Sequence, residues 1–303
     1  MSSGGNTGRP SVAPRLEVLA AAVLFSTGGA AIKACAFDGL RIASLRSGIA
    51  ALALPLLLGA ARRGWTRPRT WLVGAAYAAT LVLFVTSTKL TTAANAIFLQ
   101  SSAPLWILVL APWLLAERFR ARDLGFLAAA AAGLTALFAG TAPASATAPD
   151  PATGNLLALA AGVSWALTVM GLRRLERAGE GEGLAAAAAG NLLAFVAVLP
   201  WAWPIPAGRT TDWLVLGWLG VFQIGLAYLF LTRGLRGIPA LEASLLLLVE
   251  PVLNPLWTWL AHGENPGGWS LAGGAVVLGA VAARAFVESR ARPPTAHPPG
   301  TTA

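Results

Sequence analysis

Long runs of apolar residues, each about 20 residues in length, fill most of this 303-residue chain and restrict its fold more than any other feature. A helix needs about 20 residues to cross the hydrocarbon core of a bilayer. Only 12% of the residues are charged, against about 25% in an average soluble domain. The chain is therefore predicted to be an all-α, polytopic membrane protein of ten transmembrane helices. The predicted spans are residues 16–36, 39–58, 70–88, 93–112, 122–140, 154–172, 184–200, 212–231, 240–260 and 269–287.

The segments outside the spans divide the chain into two halves of five helices, residues 16–140 and 154–287. The segment between them, residues 141–153, is rich in Pro, Ala and Thr, which is typical of a linker. Residues 1–15 and 288–303 are rich in Gly, Pro, Arg and Thr, and this composition predicts disordered tails.

The basic residues predict the orientation of the chain. With a cytoplasmic N-terminus, seventeen of the 22 Lys and Arg residues fall on the cytoplasmic side. Four fall on the opposite side, namely Lys33, Arg41, Lys89 and Arg209, and Arg46 lies inside the second span. This asymmetry is the one that the positive-inside rule requires. We therefore predict ten spans with both termini cytoplasmic, in the inner (plasma) membrane.

The fourth and ninth spans carry the same motif, a proline followed thirteen residues later by a glutamate. The motif consists of Pro104 with Glu117 and of Pro251 with Glu264. Two weaker matches occur in the same order: Phe25 to Lys33 with Trp165 to Arg173, and Trp-Leu-Val at Trp71 and at Trp213. Because five crossings return the chain on the opposite side, the second copy is predicted to be inverted relative to the first. Inverted repeats are common in secondary transporters, whose substrate site lies near the midplane between the repeats.

Such symmetry predicts a mechanism. Two similar halves can exchange conformations, so that one side of the protein closes while the other opens. We therefore expect alternating access around a wet pocket shared by the two halves.

These features resemble the EamA-type drug/metabolite transporter superfamily over about residues 16–287. The resemblance rests on the Pro-x12-Glu motifs, on Val-Glu-Pro-Val at residues 249–252, on Arg46 and on KLTTAA at residues 89–94. Two departures are Phe25-Ser26-Thr27, where many relatives carry Trp-Gly, and Asn254. The family moves amino acids, sugars, nucleobases and amphiphilic compounds. The whole chain looks most like bacterial exporters of amino acids, aromatic ones included.

Two charged residues within the spans are candidates for substrate or ion coupling. Glu250 lies near the centre of the ninth span, where a charge costs about 2.5 to 3.5 kcal/mol. Its carboxyl could serve transport, satisfy backbone groups freed by Pro251, or pair with Arg46. We predict a contact between Glu250 and Arg46.

The repeated motif supplies the hinge and gate candidates. Pro104 and Pro251 each remove a backbone hydrogen bond and favour a bend, which could act as a hinge or shape the packing. Glu117 and Glu264 end the matched helices on opposite faces, where they could gate the two sides or form interface salt bridges.

Polar and aromatic side chains within the spans are candidates for lining the substrate cavity. Each buried polar group needs a partner in hydrocarbon, and hydroxyls can bond their own helix backbone instead. The candidates are Ser26, Thr27, Tyr77, Gln100, Trp106, Trp165, Gln223, Tyr228, Glu250 and Asn254.

Other function classes lack their signals in the sequence. No His-Glu-x-x-His motif or cysteine cluster indicates metal catalysis, and no Gly-rich loop ends in Gly-Lys as in ATP-driven pumps. We expect no enzyme activity, cofactor, metal or nucleic-acid partner, and a monomer. A channel and a structural membrane protein remain the alternatives, and the latter would have its centre filled with side chains.

Overall fold

The computed structural model describes residues 13–62, 64–114, 123–140, 143–177, 182–234 and 246–291, which form helices and their connections. The prediction of an all-α fold is confirmed for these residues. The first half contains α1 (Ala13–Ser26), α2 (Gly28–Ala34), α3 (Gly39–Leu57), α4 (Pro68–Leu90), α5 (Ala93–Gln100), α6 (Ala103–Leu114) and α7 (Asp123–Ala139). The second half contains α8 (Pro151–Arg177), α9 (Gly183–Ala202), α10 (Thr210–Gly217), a π-helical segment (Trp218–Leu226), α11 (Ala227–Gly234), α12 (Val249–His262) and α13 (Gly268–Ala291).

Seven stretches of the described chain are long and apolar enough to cross a membrane. They are Ala13–Ala34, Gly39–Leu57, Pro68–Leu90, Ala93–Leu110, Pro151–Leu172, Gly183–Ala202 and Thr210–Leu231. Two further apolar helices, Leu124–Ala139 and Gly268–Arg284, are shorter. The ninth predicted span begins outside the described residues, and its described part is mainly α12. The count of ten spans and the orientation of the termini therefore stay predictions.

Several helix boundaries differ from the predicted ones by a few residues. The helix α1 begins at Ala13, so residues 13–15 are helical and do not belong to a disordered tail. Similarly, α13 continues to Ala291 and α8 begins at Pro151. The linker residues 143–150 are irregular, but Ala148 is buried and Thr147 accepts a hydrogen bond from Lys33 through its carbonyl.

The helix ends follow from local side-chain chemistry. The carboxylate of Asp38 accepts a hydrogen bond from the backbone N–H of Arg41 and caps α3. The hydroxyl of Thr92 caps α5 in the same way. Such caps satisfy N–H groups that have no partner within the helix.

Three of the predicted spans are interrupted. The first breaks at Thr27, between α1 and α2, and the fourth at Ser101 and Ser102, between α5 and α6. The ninth has a turn at Leu248, directly before α12. The interruptions of the fourth and ninth spans begin three residues before Pro104 and Pro251, as expected where a proline removes a helical hydrogen bond. The two matched prolines thus lie beside matched breaks, and their role as hinges stays a prediction.

The packing of the helices is symmetric under exchange of the two halves. The pair of α4 with α8 has its counterpart in α11 with α1, and the pair of α4 with α9 has its counterpart in the π-helical segment with α3. The pair of α5 with α8 corresponds to that of α12 with α1. Three further pairs, α3 with α9, α5 with α12 and α7 with α13, each join equivalent elements of the two halves. This pattern indicates that the halves are related by a pseudo-twofold axis.

Candidate functional site

Four aromatic residues meet where the two halves contact each other. The ring centroids of Tyr77 and Tyr228 are 5.9 Å apart, and a hydrogen bond joins their side chains. Phe25 of the first half packs edge-on against Tyr228 at 5.6 Å, and Trp165 of the second half lies 6.1 Å from Tyr77. We call these four residues the aromatic centre. The residues that the repeat aligns, Phe25 and Trp165, thus each contact a tyrosine of the opposite half.

Arg46 lies beside the aromatic centre and is 2% exposed. Its Nη1 donates to the side-chain oxygen of Gln223 at 3.4 Å, and the amide nitrogen of Gln223 donates to the carbonyl of Phe25 at 3.5 Å. Its Nε has no hydrogen-bond partner. The polar contacts of this guanidinium are therefore few and long.

The direct contact that we predicted between Arg46 and Glu250 is not formed. Both residues belong to the described part of the chain, and no ion pair joins them there. Arg46 pairs with Gln223 instead, because the π-helical segment carries this amide against α3. Glu250 starts α12 and interacts electrostatically with Tyr77 and Tyr228. The side chains of Arg46 and Glu250 thus both lie near the tyrosine pair, but they form no ion pair with each other.

Asn254 is buried beneath the first span and has no hydrogen-bond partner for either side-chain atom. A Cβ at residue 29 would lie 2.1 Å from its Oδ1, so the close approach of α12 to α2 requires glycine at this position. A buried amide without partners is unfavourable by about 1 to 3 kcal/mol. Asn254 is therefore a polar group that the closed bundle leaves unsatisfied.

The hydroxyls of Ser26 and Thr27 have two roles at the break in the first span. Each donates to a backbone carbonyl three residues earlier, which confirms the expected bonding to their own helix. Each also accepts an indole N–H, from Trp257 at 2.9 Å and from Trp218 at 3.1 Å respectively. The break is therefore tied to α12 and to the π-helical segment.

The described residues close the space beside the tyrosine pair. The cleft beside Tyr77 and Tyr228 is also lined by Val73, Thr168, Leu172, Ala186 and Ala187, and it is too narrow to admit a water molecule. The wet pocket expected between the halves is therefore not found at this cleft, and in this respect the structure agrees with the structural alternative named above.

Two cavity candidates lie apart from the aromatic centre. Trp106 donates to the hydroxyl of Ser102 at 3.1 Å, beside the break in the fourth span. Gln100 is the last residue of α5, and its backbone carbonyl faces Gly162 of α8. Neither forms a ring contact or side-chain hydrogen bond with the aromatic centre.

One end of the bundle is closed by a buried ion pair. Lys33 and Glu264 lie 3.0 Å apart with side chains 4% exposed, so Glu264 forms the interface salt bridge that was one of its two expected roles. Lys33 also donates to the carbonyls of Thr91 and Thr147, while Glu264 accepts from the backbone N–H of Ala93. We call this region the linker end, since linker residue Thr147 belongs to it. Glu117, the counterpart of Glu264, lies outside the described residues.

Comparisons with known proteins agree with this double architecture. The sequence profile of the EamA-like transporter family matches the chain twice, over residues 16–139 and 152–284. The chain belongs to the EamA-like transporter family. Its members are membrane transporters of small solutes, and the two matched regions correspond to the two predicted halves.

Solved structures contain the same fold. One of the eight matching chains, described only as the crystal structure of a protein, is similar to this EamA-like chain with a TM-score of 0.60 and 22% sequence identity. The alignment covers 91% of this chain and 98% of the other. A search of curated proteins finds no match.

The structure of this EamA-like protein also contains a polar network that we did not predict from sequence. The Oδ1 of Asn155 accepts hydrogen bonds from Thr91 and Asn95, and Ser270 donates to Asn95 at 2.6 Å. The network ties α8 and α13 to the start of the fourth span. Its only signal in the sequence is the presence of amides at the ends of apolar runs.

A second unpredicted cluster lies at the opposite end of the bundle, which we call the Glu182 end. The carboxylate of Glu182 contacts Arg67, Arg69 and Thr70 at the start of α4. Burial of Glu182 opposes its ionisation, but hydrogen bonds from Arg69 and Thr70 and the charges of Arg67 and Arg69 outweigh this effect and lower its pKa. The cluster holds the start of α9 against α4.

Proposed function

We propose that this protein is a secondary transporter that exports small organic solutes, amino acids among them, across the inner membrane by alternating access. The family supplies the general class, membrane transport of small solutes. The symmetric packing of the two halves is the observation that carries the mechanism. Two halves in equivalent surroundings can exchange their arrangements, which is the basis of alternating access in transporters with inverted repeats.

The closed centre supports a carrier over a channel. A carrier must pass through a state in which neither side has access to the substrate site, whereas an open channel contains a continuous path. The cleft at the tyrosine pair has no room for water, and the ion pair of Lys33 and Glu264 closes the linker end. These features fit an occluded or one-sided state of a carrier.

Unsatisfied polar groups at the centre support transport over a purely structural role. The Nε of Arg46 and both side-chain polar atoms of Asn254 are buried without partners. Such groups destabilise a static bundle because hydrocarbon offers no replacement for water. A substrate that forms hydrogen bonds with these atoms during the transport cycle would supply the partners that they lack.

The amino-acid substrate is the finer part of the proposal. It is supported by the resemblance to bacterial amino-acid exporters and by the combination of aromatic rings, amides and two charges at the centre. The alternatives are export of other metabolites or amphiphilic drugs, and a channel-like facilitator.

Counterflow in proteoliposomes tests the proposal. Purified protein is reconstituted, and uptake of a panel of labelled amino acids is measured with and without the unlabelled compound inside the vesicles. We expect saturable uptake that internal unlabelled substrate accelerates. Flux that rises linearly with concentration without counterflow would contradict the carrier, and transport of only non-amino-acid metabolites would correct the substrate.

The same vesicles test Glu250 as a coupling group. An imposed pH gradient is expected to drive net transport in the wild type, whereas E250Q retains counterflow and loses the response to the gradient. If the wild type and E250Q responded equally to the pH gradient, Glu250 would not be the coupling group.

A further inference from the structure

We propose that Arg46 binds the carboxylate of the transported substrate, so that the central site selects carboxylates carried on an apolar or aromatic body. This inference rests on the proposed function and names the substrate class of that site. It is carried by a buried guanidinium that has one long side-chain hydrogen bond and no ion pair within the described part of the chain.

The first step of the argument is the energetic position of Arg46. It lies in the middle of α3 and is 2% exposed. A charge at membrane depth is costly unless it is paired or faces water. Among the described residues no carboxylate forms an ion pair with Arg46. Within the described residues, this site thus contains a buried positive charge without an anionic partner.

The second step is the geometry of the existing contacts. A guanidinium has five N–H donors arranged in a planar fork. The one hydrogen bond from Arg46 to a side chain in the described structure is that to Gln223, at 3.4 Å, and the Nε is buried without a partner. A carboxylate can accept two parallel hydrogen bonds from this fork, which a neutral amide oxygen cannot do equally well.

The third step is the surroundings of the guanidinium, which define the rest of the ligand. Both Tyr77 and Tyr228 interact electrostatically with Arg46, and Trp165 and Phe25 complete the aromatic centre. Flat apolar rings favour an apolar or aromatic body through burial and ring contacts. The ligand that fits both features is a small organic acid with a hydrophobic side, and aromatic amino acids belong to this class.

The contrast with the other buried cation supports the assignment. Lys33 at the linker end is also buried, but it has Glu264 and two backbone carbonyls as partners. The described structure supplies an anionic partner for Lys33 but none for Arg46. This difference separates a cation that closes the bundle from one that is available to a ligand.

The test compares acids with their amides. Binding of 3-phenylpropionate and 3-phenylpropanamide, and of L-phenylalanine and L-phenylalaninamide, is measured by ligand-induced thermal stabilisation of the purified protein in detergent. Transport of the same compounds is followed by their inhibition of labelled uptake. We expect the wild type to bind each acid about tenfold or more tightly than its amide, the factor expected for a hydrogen bond to a charged group.

Substitutions of Arg46 test whether this residue causes the preference for acids over amides. R46M should abolish the preference for acids while leaving the weak binding of 3-phenylpropanamide, and R46K, which keeps the charge but not the fork, should retain part of it. R41M is the matched control, because Arg41 lies on the same helix but bonds Asp38 and the carbonyl of Ala202 at its end. It should leave the ratio of acid to amide unchanged.

Three results would overturn the assignment: no binding of either acid, equal binding of acids and amides by the wild type, or equal losses of acid and amide binding in R46M. The last would identify Arg46 as a structural contact between helices. Failure of the proposed function is a separate observation, since it would consist of no saturable flux of any solute while acid binding in detergent can still be measured.

Discussion

Single charged residues in this bundle differ in whether the fold itself supplies their partner. Glu182 has two arginines and a threonine, and Lys33 has Glu264. Neither Arg46 nor Glu250 forms an ion pair with any described residue. An unpaired charge at membrane depth is unfavourable. The paired charges lie at the two ends of the bundle, and the charges without an ion pair lie near its centre, where we propose that the substrate binds.

Glu182 leads to a prediction about stability and pH. Its pKa is lowered in the folded protein from the ordinary value of 4.5, so its ionised form contributes stability above that value and loses the contribution as the pH falls through the folded pKa. E182Q should lower the melting temperature of the purified protein at neutral pH. The difference from the wild type should shrink as the pH falls below 4.5.

Thermal unfolding followed by tryptophan fluorescence between neutral and acidic pH measures this effect. E17Q in α1 is the matched control, since it also removes one carboxylate, and no ion pair to Glu17 is present in the described structure. A difference between E182Q and the wild type that persists unchanged at acidic pH would show that the carboxylate acts without its charge.

At the scale of elements, the first, fourth and ninth spans are interrupted, whereas helices such as α4 and α8 are continuous. The eighth span is also irregular, because its middle is the π-helical segment that carries Gln223. Such segments are frequent at functional sites. The irregular elements are those that contact Arg46, Asn254 and the hydroxyls of the first span.

The matched prolines predict a change in transport rate. Replacing Pro104 or Pro251 by alanine restores a backbone N–H and makes a straight helix more favourable. If the breaks act as hinges, P104A and P251A should each slow counterflow by about tenfold, which corresponds to about 1.4 kcal/mol on the barrier.

Binding of the transported solute, measured by thermal stabilisation, should remain close to that of the wild type in both variants. P55A is the control, because Pro55 lies inside α3, where the helix continues across the proline. Unchanged counterflow in P104A and P251A would assign the two prolines to packing alone.

The sequence predicts many elements because their signals are local. Apolar length marks the spans, and the spacing of Pro104 and Pro251 marks their breaks. The partners of Arg46 and Lys33 are not predictable in this way, since Gln223 and Glu264 lie far away in sequence and the rotation of each helix decides which side chains meet. The π-helical segment likewise has no local signal, and no motif in the sequence singles out Glu182.

At the scale of the whole molecule, a symmetric packing of the two halves is combined with an asymmetric distribution of charge. The packing of the halves is symmetric, but the basic residues are concentrated on one predicted side. The positive-inside rule predicts that the Glu182 end faces the cytoplasm and the linker end faces the opposite side. The structure contains no feature that contradicts this orientation within the described residues.

Reporter fusions test the orientation and the count of spans. Green fluorescent protein at the C-terminus should fluoresce, and alkaline phosphatase inserted in linker residues 143–150 should be active. Phosphatase inserted at residues 64–67 should be inactive. An active phosphatase at the C-terminus would require an odd number of crossings and would remove the inverted relation of the halves.

The break at Thr27 has no equivalent in α8, which runs without interruption from Pro151 to Arg177. The two halves are consequently similar in outline but not identical in their helices. For the alternating-access carrier proposed above, we expect the empty protein to favour one of its two orientations. Gradients alone still set the direction of net flux. Nevertheless, we expect the substrate concentration that half-saturates the proposed carrier to differ between its two faces.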